Sequence, residues 1–598
     1  MSLTTTFYTA IFADVVGSLS TLVPEGQKTD GSDVLIFDEN ENELIKHLRM
    51  DLKYILNRVE NEGDRFVTTI LPTLGKAAER SAITGEALIV PKGFDLMGES
   101  RLPVFLNSLF KAGWDSMGIP YFDRTAKRTG VETLAFSMQA IRQITLAFSK
   151  VEDEVCTQTE NDAVLSFTGR MTKNSVVRAD SWVIRRVRTL LSNLLLEDGE
   201  LHPALAQWES IPFGKHGPGA VFDKERGPSK WSFEYLPGAE SDLFKWRSGC
   251  CVREGRPTRK IGRISRLCCV PKDFKSLRVI CIEPKELQFA QQGLRTVLEG
   301  ILEGHYLTRN SISFRDQSKN SELTKNLACA TIDLKDASDN LSLALGRLLF
   351  PKEVLSLLTR YRSGSVQLPD RSIVQVKCLA TMGSALCFCL ETLVFWAFAQ
   401  VITDAKSRQK CRIVRVFGDD MVVPLDVADY LCTQLEKCGM IVNRDKTCSS
   451  GTLLRESCGS WSLGRVPIDV VKFHTRSCTS AKTWLALREQ ARRLPLMWNL
   501  PEKLVSNVRK AIHSECDTWY ISMYRRGDRA NSVRRGDRHS EEVYTSNSSD
   551  CYVLRRWNIR FQRMEEWIPV LSGGRGKRAL PGYAGLYASV VGGDTCPS

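Results

Sequence analysis

The run Ile-Val-Arg-Val-Phe-Gly-Asp-Asp-Met-Val-Val from Ile413 to Val423 constrains this chain more than any other stretch. Its β-branched residues on either side of Gly418-Asp419 predict two strands joined by a tight hairpin turn. That turn carries two adjacent carboxylates, Asp419 and Asp420, between apolar strands. Adjacent acids repel, so placing both there is costly unless a cation compensates, and hard divalent ions with oxygen ligands meet that need. Taken alone, the tripeptide reads equally well as a polar turn.

A second strand-like run, Ala330-Thr-Ile-Asp-Leu334, sets Asp333 among apolar neighbours, where an unpaired carboxylate is expensive. Three acids therefore converge in this reading. Two divalent ions roughly 3.5 to 4 Å apart, bridged by such carboxylates, activate an attacking hydroxyl and stabilise the leaving oxygen of an in-line phosphoryl displacement. This is polymerase or nuclease chemistry. A triphosphate substrate also needs cations, and Lys272, Lys275 and Arg278 supply three at three-residue spacing just before the strand-like run Val279-Ile-Cys-Ile282. Without other signals, the same run is a solvated basic face.

Composition narrows the setting. With 598 residues, 43% hydrophobic and 25% charged, the chain can bury several cores, which excludes a small stapled scaffold and dominant disorder. Lysine and arginine exceed acids by 82 to 69, a net charge of +13 that favours polyanionic partners such as nucleic acid. The cysteine count, 19, is odd, with Cys387 and Cys389 inside an apolar run, so a reducing compartment is expected rather than a disulfide framework. No Cys-x-x-Cys occurs, which speaks against structural zinc. The N-terminal stretch has no basic residue ahead of its apolar part and carries Asp14 within it, unlike a signal peptide. Residues 385–402 approach the length of a membrane span, but Glu391 sits mid-run, so a buried helix is expected. None of the Gly-Lys pairs at Gly75, Gly214 and Gly576 is followed by Ser or Thr, which removes a P-loop helicase.

The order of the motifs adds more than any one of them. The basic run, Ala-Thr-Ile-Asp-Leu-Lys-Asp-Ala-Ser-Asp339, Thr-Met-Gly-Ser384 with the apolar run after it, Phe-Gly-Asp-Asp420 and Asn-Arg-Asp-Lys446 follow one another as polymerase motifs F, A, B, C and D do. The sequence resembles the RNA-dependent RNA polymerases, and within them the replicase catalytic beta subunit of levivirus-type single-stranded RNA bacteriophages. Leu454-Arg-Glu-Ser-Cys-Gly459 matches a further stretch of that pattern. The resemblance runs from about Val270 to Lys472, while both ends match weakly.

The resemblance implies an α+β right-hand polymerase with fingers, palm and thumb, the palm being an antiparallel sheet covered by helices. The expected divisions are a helical N-terminal region at 1–205, fingers with the basic motif at 206–328, the palm at 329–476, and a thumb with a basic C-terminal region at 477–598. It makes Asp333, Asp419 and Asp420 the metal-binding acids, for two Mg²⁺ ions with Mn²⁺ as a substitute. Lys272, Lys275 and Arg278 become triphosphate contacts, and Lys446 the general acid for departing pyrophosphate. Asp339, Gly383 and Ser384 would lie at the ribose of the incoming nucleotide.

Two departures stand out: Phe417 where the family has Tyr, and Ser384-Ala385 where Asn-Gly is expected, which leaves open how the 2′-hydroxyl is read. Without the family pattern, Asp339 reads as the N-cap of a helix from Asn340, and Gly383 as a turn residue at a helix start. Implied partners are single-stranded RNA template and nascent RNA, nucleoside triphosphates, host elongation factors Tu and Ts, and for some templates a ribosomal protein or RNA chaperone. The expected setting is the cytoplasm of an infected bacterium, away from membranes, with primer-independent initiation. The rivals are a reverse transcriptase, which shares the paired aspartates, and a non-enzymatic basic RNA-binding scaffold. The duplicated Arg-Arg-Gly-Asp-Arg at Arg525 and Arg534 is expected in a loop.

Overall fold

The computed structural model describes residues 41–121, 128–151, 159–172, 176–210, 212–217, 219–225, 263–272, 276–410, 412–449 and 451–473, with short pieces elsewhere, among them strands at 543–545, 552–558 and 563–567. The chain divides into two compact units, one of residues 1–155, 466–590 and 594–598, the other of 156–465 and 591–593. Lys275 and the two Arg-Arg-Gly-Asp-Arg segments lie outside the described residues, as does most of the region expected to form a thumb.

The first unit is built on helices α1 (Glu41–Glu62), α2 (Leu71–Thr84) and α3 (Arg128–Leu146). Apolar residues at three- and four-residue spacing predict α1, and Leu48 and Ile55, two turns apart, are fully buried on it. Helices α2 and α3 pack tightly at Gly75, where an added Cβ would lie 2.1 Å from Thr145 Oγ1. One face of α3 holds an extended segment: Gln139 and Gln143 donate to the carbonyls of Asp469 and Val471 at 2.8 and 2.9 Å. Buried Arg142 between them pairs with Glu79 at 2.7 Å, which offsets the desolvation of its charge.

The second unit contains, in chain order, α4 (Glu160–Thr172), α5 (Ser181–Leu195), β1 (Ile264–Pro271), β2 (Leu277–Ile282), α6 (Lys285–Gly304), β3 (Cys329–Ile332), β4 (Leu334–Lys335), α7 (Ala337–Asn340), β5 (Ser365–Gln367), β6 (Ile373–Gln375), α8 (Cys387–Lys406), β7 (Arg415–Phe417), β8 (Asp420–Pro424), α9 (Ala428–Lys437), β9 (Ile441–Val442), β10 (Leu454–Ser457) and β11 (Ser460–Leu463). Its central sheet is antiparallel in the order β7-β8-β3. The hairpin expected around Gly418-Asp419 is β7 and β8. A second sheet runs β6-β5-β1-β2, with β1 and β5 parallel and the other pairs antiparallel.

Helix α8 is the centre of the core. It is long and apolar enough to cross a membrane, yet Leu393, Phe395, Trp396, Ala397 and Phe398 are all fully buried, as expected of an internal helix. Helices α5 and α6 and the inner face of the central sheet, through Val416, Met421 and Val423, share that core. A helix apolar on every face needs partners on every face, and a sheet between helices supplies them. The fold class is α+β, an antiparallel sheet covered by helices.

Candidate active site

Strand register brings two of the acids together. Ile332 on β3 pairs with Met421 on β8, so one step further along both antiparallel strands Asp333 stands across from Asp420. On the other side Phe417 pairs with Asp420, which leaves Gly418 and Asp419 as a two-residue turn. Gly418 has φ +65°, a left-handed conformation that glycine adopts without cost. Its Cα also lies hard against α8, since an added Cβ would come within 2.5 Å of Phe388 Cε2. Fully buried Thr392, also on α8, accepts the Gly418 N–H at 2.9 Å. The Phe388 ring meets Phe417 edge-on at 4.9 Å between centroids, a contact that needs the ring and no tyrosine hydroxyl.

Asp333 is held from its other side. Leu334 pairs with Val442 between β4 and β9, and the next residue, Asn443, donates its backbone N–H to the Asp333 carbonyl at 2.9 Å and its amide to Asp333 Oδ2 at 2.5 Å. The chain then turns back, with the N–H groups of Lys446 and Thr447 both donating to the Asn443 carbonyl at 3.0 and 2.9 Å. This brings Lys446 Nζ to 3.9 Å from Asp333 Oδ2 and 4.0 Å from Glu456 Oε2.

Glu456, on β10, is a site residue that sequence reasoning passed over, although it lies inside the matching Leu454–Gly459 stretch. It is buried, takes the Gly459 N–H on Oε1 at 3.2 Å, and donates its own N–H to Thr331 Oγ1 on β3 at 3.2 Å. Four carboxylates thus crowd one end of the sheet, and the electrostatics record it. Burial first, and then Glu456, Asp419 and Asp333, push the Asp420 carboxyl up to about 8. Burial and Asp333 raise that of Asp419, while Lys446 and Arg278 draw it down. Burial works against the charge of Lys446, but Glu456, Asp333, Asp420 and Asp419 outweigh it and raise its pKa.

Of the basic run, Lys272 directly follows β1 and Arg278 lies on β2. Both are exposed, and Arg278 is near enough for its charge to act on Asp419. Met382 accepts the Cys281 N–H at 2.8 Å, laying the Gly383 turn against β2. Gly383 has φ +116°, and an added Cβ would lie 2.2 Å from the Cys281 carbonyl oxygen, so the position admits no side chain. It lies in the turn that leads into α8, which begins at Cys387. The Ser384 hydroxyl and the Ala385 N–H both lie on Gln291 Oε1 of α6, at 3.1 and 3.0 Å. Asp339 is not a helix cap: it lies within α7, and the following helix is capped by Ser342, whose hydroxyl accepts the Leu345 N–H at 3.1 Å. Asp339 instead pairs with Arg170 of α4 at 2.9 Å, a partner that no motif in the sequence signals.

Among the described residues, no three His, Cys, Asp or Glu side chains are drawn into a ready-made metal-ligand group. The chemistry of the donors nonetheless suits a hard cation. Asp333, Asp419, Asp420 and Glu456 offer only oxygens, and their mutual repulsion, expressed in the raised carboxyl of Asp420, is what a divalent ion relieves.

Comparison with known proteins places the chain. The RNA replicase, beta-chain family model matches residues 132–480, more than half of it. The RNA-directed RNA polymerase subunit beta of Enterobacteria phage SP is 32% identical over 285 residues, 45% of this chain and 48% of that protein. The subunit of the same name from Escherichia virus Qbeta is 35% identical over 209 residues, 35% of this chain and 34% of that one. The chain thus spans about half or less of the length of the relatives it matches. The solved RNA-dependent RNA polymerase of a human picobirnavirus aligns over 60% of this chain and 75% of its own, at 12% identity and a TM-score of 0.39. On the strength of the family match, this chain belongs to the RNA replicase beta-chain family.

Proposed function

We propose that the chain is an RNA-directed RNA polymerase that copies the single-stranded genome of an RNA phage from nucleoside triphosphates. The observation that carries the reading is the register that sets Asp333 across from Asp420, with Asp419 in the adjoining turn and Lys446 within 3.9 Å of Asp333. Family membership and a net charge of +13 support it.

Asp333 and Asp419 would hold two magnesium ions, with Asp420 in support; when bound, such ions lower the pKa of the growing strand's 3′-hydroxyl and stabilise charge on the leaving pyrophosphate. Asn443 fixes one oxygen of Asp333, so its carboxylate is oriented before substrate arrives. Lys446, kept protonated by the surrounding acids, is placed to give a proton to the departing pyrophosphate oxygen. Arg278 on β2 and Lys272 just after β1, both exposed, would bind the triphosphate, whose charge they complement. Basic side chains bind a template backbone without reading sequence, so affinity should fall with salt by a slope of roughly 0.7 per phosphate contact.

By its likeness to phage replicase beta subunits, the chain would act as the catalytic subunit of a complex in the cytoplasm of the infected bacterium. Elongation factors Tu and Ts would be its host partners, joined for some templates by a ribosomal protein or RNA chaperone. The test is incorporation of labelled nucleotides on single-stranded RNA with magnesium, with and without Tu and Ts, for the wild type and Asp419→Asn. Ribonucleotide incorporation by the wild type alone supports the reading. Preference for deoxyribonucleotides points to reverse transcription, and RNA binding without incorporation by either protein points to a scaffold.

A further inference from the structure

Asp339 is nine-tenths buried, and its carboxylate does not stand alone. Arg170, from a helix 169 residues earlier in the chain, places Nε and Nη2 each 2.9 Å from Asp339 Oδ2. Its remaining nitrogen, Nη1, donates to Ser166 Oγ at 2.6 Å and lies 3.4 Å from Asp336 Oδ2. Both contacts to Asp339 fall on a single oxygen, and among the described residues Oδ1 accepts no hydrogen bond. A guanidinium fixed at three points leaves the carboxylate one rotamer and one open oxygen.

The helix that carries Arg170 is itself anchored. On α4, Ala163, Phe167 and Met171 recur every four residues and are buried, the last two packing with Leu267, Cys281, Val366 and Cys378. Ser166 and Arg170 lie one turn apart on α4, and Arg170 reaches α7. Lys377 Nζ donates to the Thr172 carbonyl at 3.1 Å and closes the C-terminal end. Burial raises the Asp339 carboxyl above its ordinary value, and the Arg170 guanidinium draws it back down.

The other polar side chain expected at the ribose is committed elsewhere. The Ser384 hydroxyl lies 3.1 Å from Gln291 Oε1 and takes the Leu386 N–H at 3.3 Å, so it serves the turn. We infer that Arg170 is the positioning residue for sugar discrimination, holding Asp339 so that its open oxygen accepts a hydrogen bond from the ribose 2′-hydroxyl of the incoming nucleotide. This rests on the polymerase reading and on the place that reading gives Asp339. A site built to hydrogen-bond a substrate hydroxyl rejects the analogue lacking it far more strongly than a site defined by shape alone.

The experiment compares kcat/KM for ribo- and deoxyribonucleotides on one RNA template, using the full-length chain with Tu and Ts present. Arg170→Ala should lower the ribo/deoxy ratio by about tenfold or more, by slowing ribonucleotides while deoxyribonucleotides change little. Arg170→Lys should recover only part of it, because one ammonium cannot reproduce the fork, and it keeps the comparison usable if the alanine variant does not fold. In an Asp339→Asn background, Arg170→Ala should leave the ratio where Asp339→Asn put it. An equal loss on both sugars, or an unchanged ratio in both Arg170 variants, makes Arg170 a purely structural residue and overturns the inference. Silence of the wild type on every nucleotide removes the polymerase reading as well, an outcome distinct from ribonucleotide synthesis with an unmoved ratio.

Discussion

Thr392 Oγ1 accepts the backbone N–H of Gly418 at 2.9 Å, while its own proton goes to the Phe388 carbonyl, one turn earlier on the same helix, at 2.8 Å. The turn that carries Asp419 is thereby fastened to the buried core helix α8. A β-branched residue suits this task, because its few rotamers leave the hydroxyl little freedom.

Replacing Thr392 with Val keeps the shape and removes the acceptor, leaving the buried Gly418 N–H without its partner at a cost of about 1–3 kcal/mol. Nucleotide incorporation should fall by about tenfold or more, and Thr392→Ser should recover most of it. Wild-type rates for Thr392→Val would show that the turn is held by packing alone.

Gly383 should tolerate no substitution. Gly383→Ala places a methyl group 2.2 Å from the Cys281 carbonyl oxygen in a backbone conformation already costly for alanine. Denaturant unfolding should show a loss of about 2 kcal/mol or more. Gly300→Ala, in open space on α6, is the control and should not destabilise, gaining up to about 1 kcal/mol as alanine replaces glycine inside a helix.

Lys446 should matter to the chemical step rather than to nucleotide binding. A general acid typically contributes about 10²- to 10⁴-fold, so Lys446→Leu should reduce kcat on that scale with little change in KM. The surrounding carboxylates raise its pKa, so the ammonium form persists through neutral and mildly alkaline pH and is lost only above the ordinary lysine range. The alkaline fall in rate should therefore come late in the wild type and vanish in Lys446→Leu, as a pH–rate profile would show.

Glu283 gives a stability prediction away from the acids. It is buried just ahead of α6, beside Ser363 and Gln291, and burial pushes its carboxyl up to about 7 from the ordinary glutamate value of 4.5. The folded state holds this proton more tightly than the unfolded state, so the contribution is whole below about pH 4.5. It declines as pH rises to about 7, a change of roughly 3 kcal/mol at about 1.36 kcal/mol per unit. Glu283→Gln should flatten that part of the decline, so the variant gains on the wild type between pH 5 and pH 8. A parallel decline in both proteins, measured by urea unfolding, would refute it.

Much of the fold and part of the site were legible before any coordinates. The alternating β-branched residues around Gly418-Asp419 specify a hairpin by themselves, since a two-residue turn with glycine at positive φ is a local solution to a local constraint. The apolar run after Gly383 is long enough and uniform enough to be read as an internal helix. Asp339 was harder, because one pattern fits both a cap and a pocket residue, and only its pairing with Arg170 separates them. Glu456 carried no chemical signal of its own, for its role comes from the burial of β10 against β3.

By itself, then, the sequence determined the local elements, the motif order and which residues could bear charge in apolar surroundings. It was the tertiary structure that set Asp333 across from Asp420, brought Lys446 between Asp333 and Glu456, and delivered Arg170 to Asp339 across 169 residues. Local patterns arise from backbone geometry over a few residues and are written in composition and period. Long-range pairs depend on strand register and helix packing, which the whole core decides at once, so no spacing in the chain encodes them.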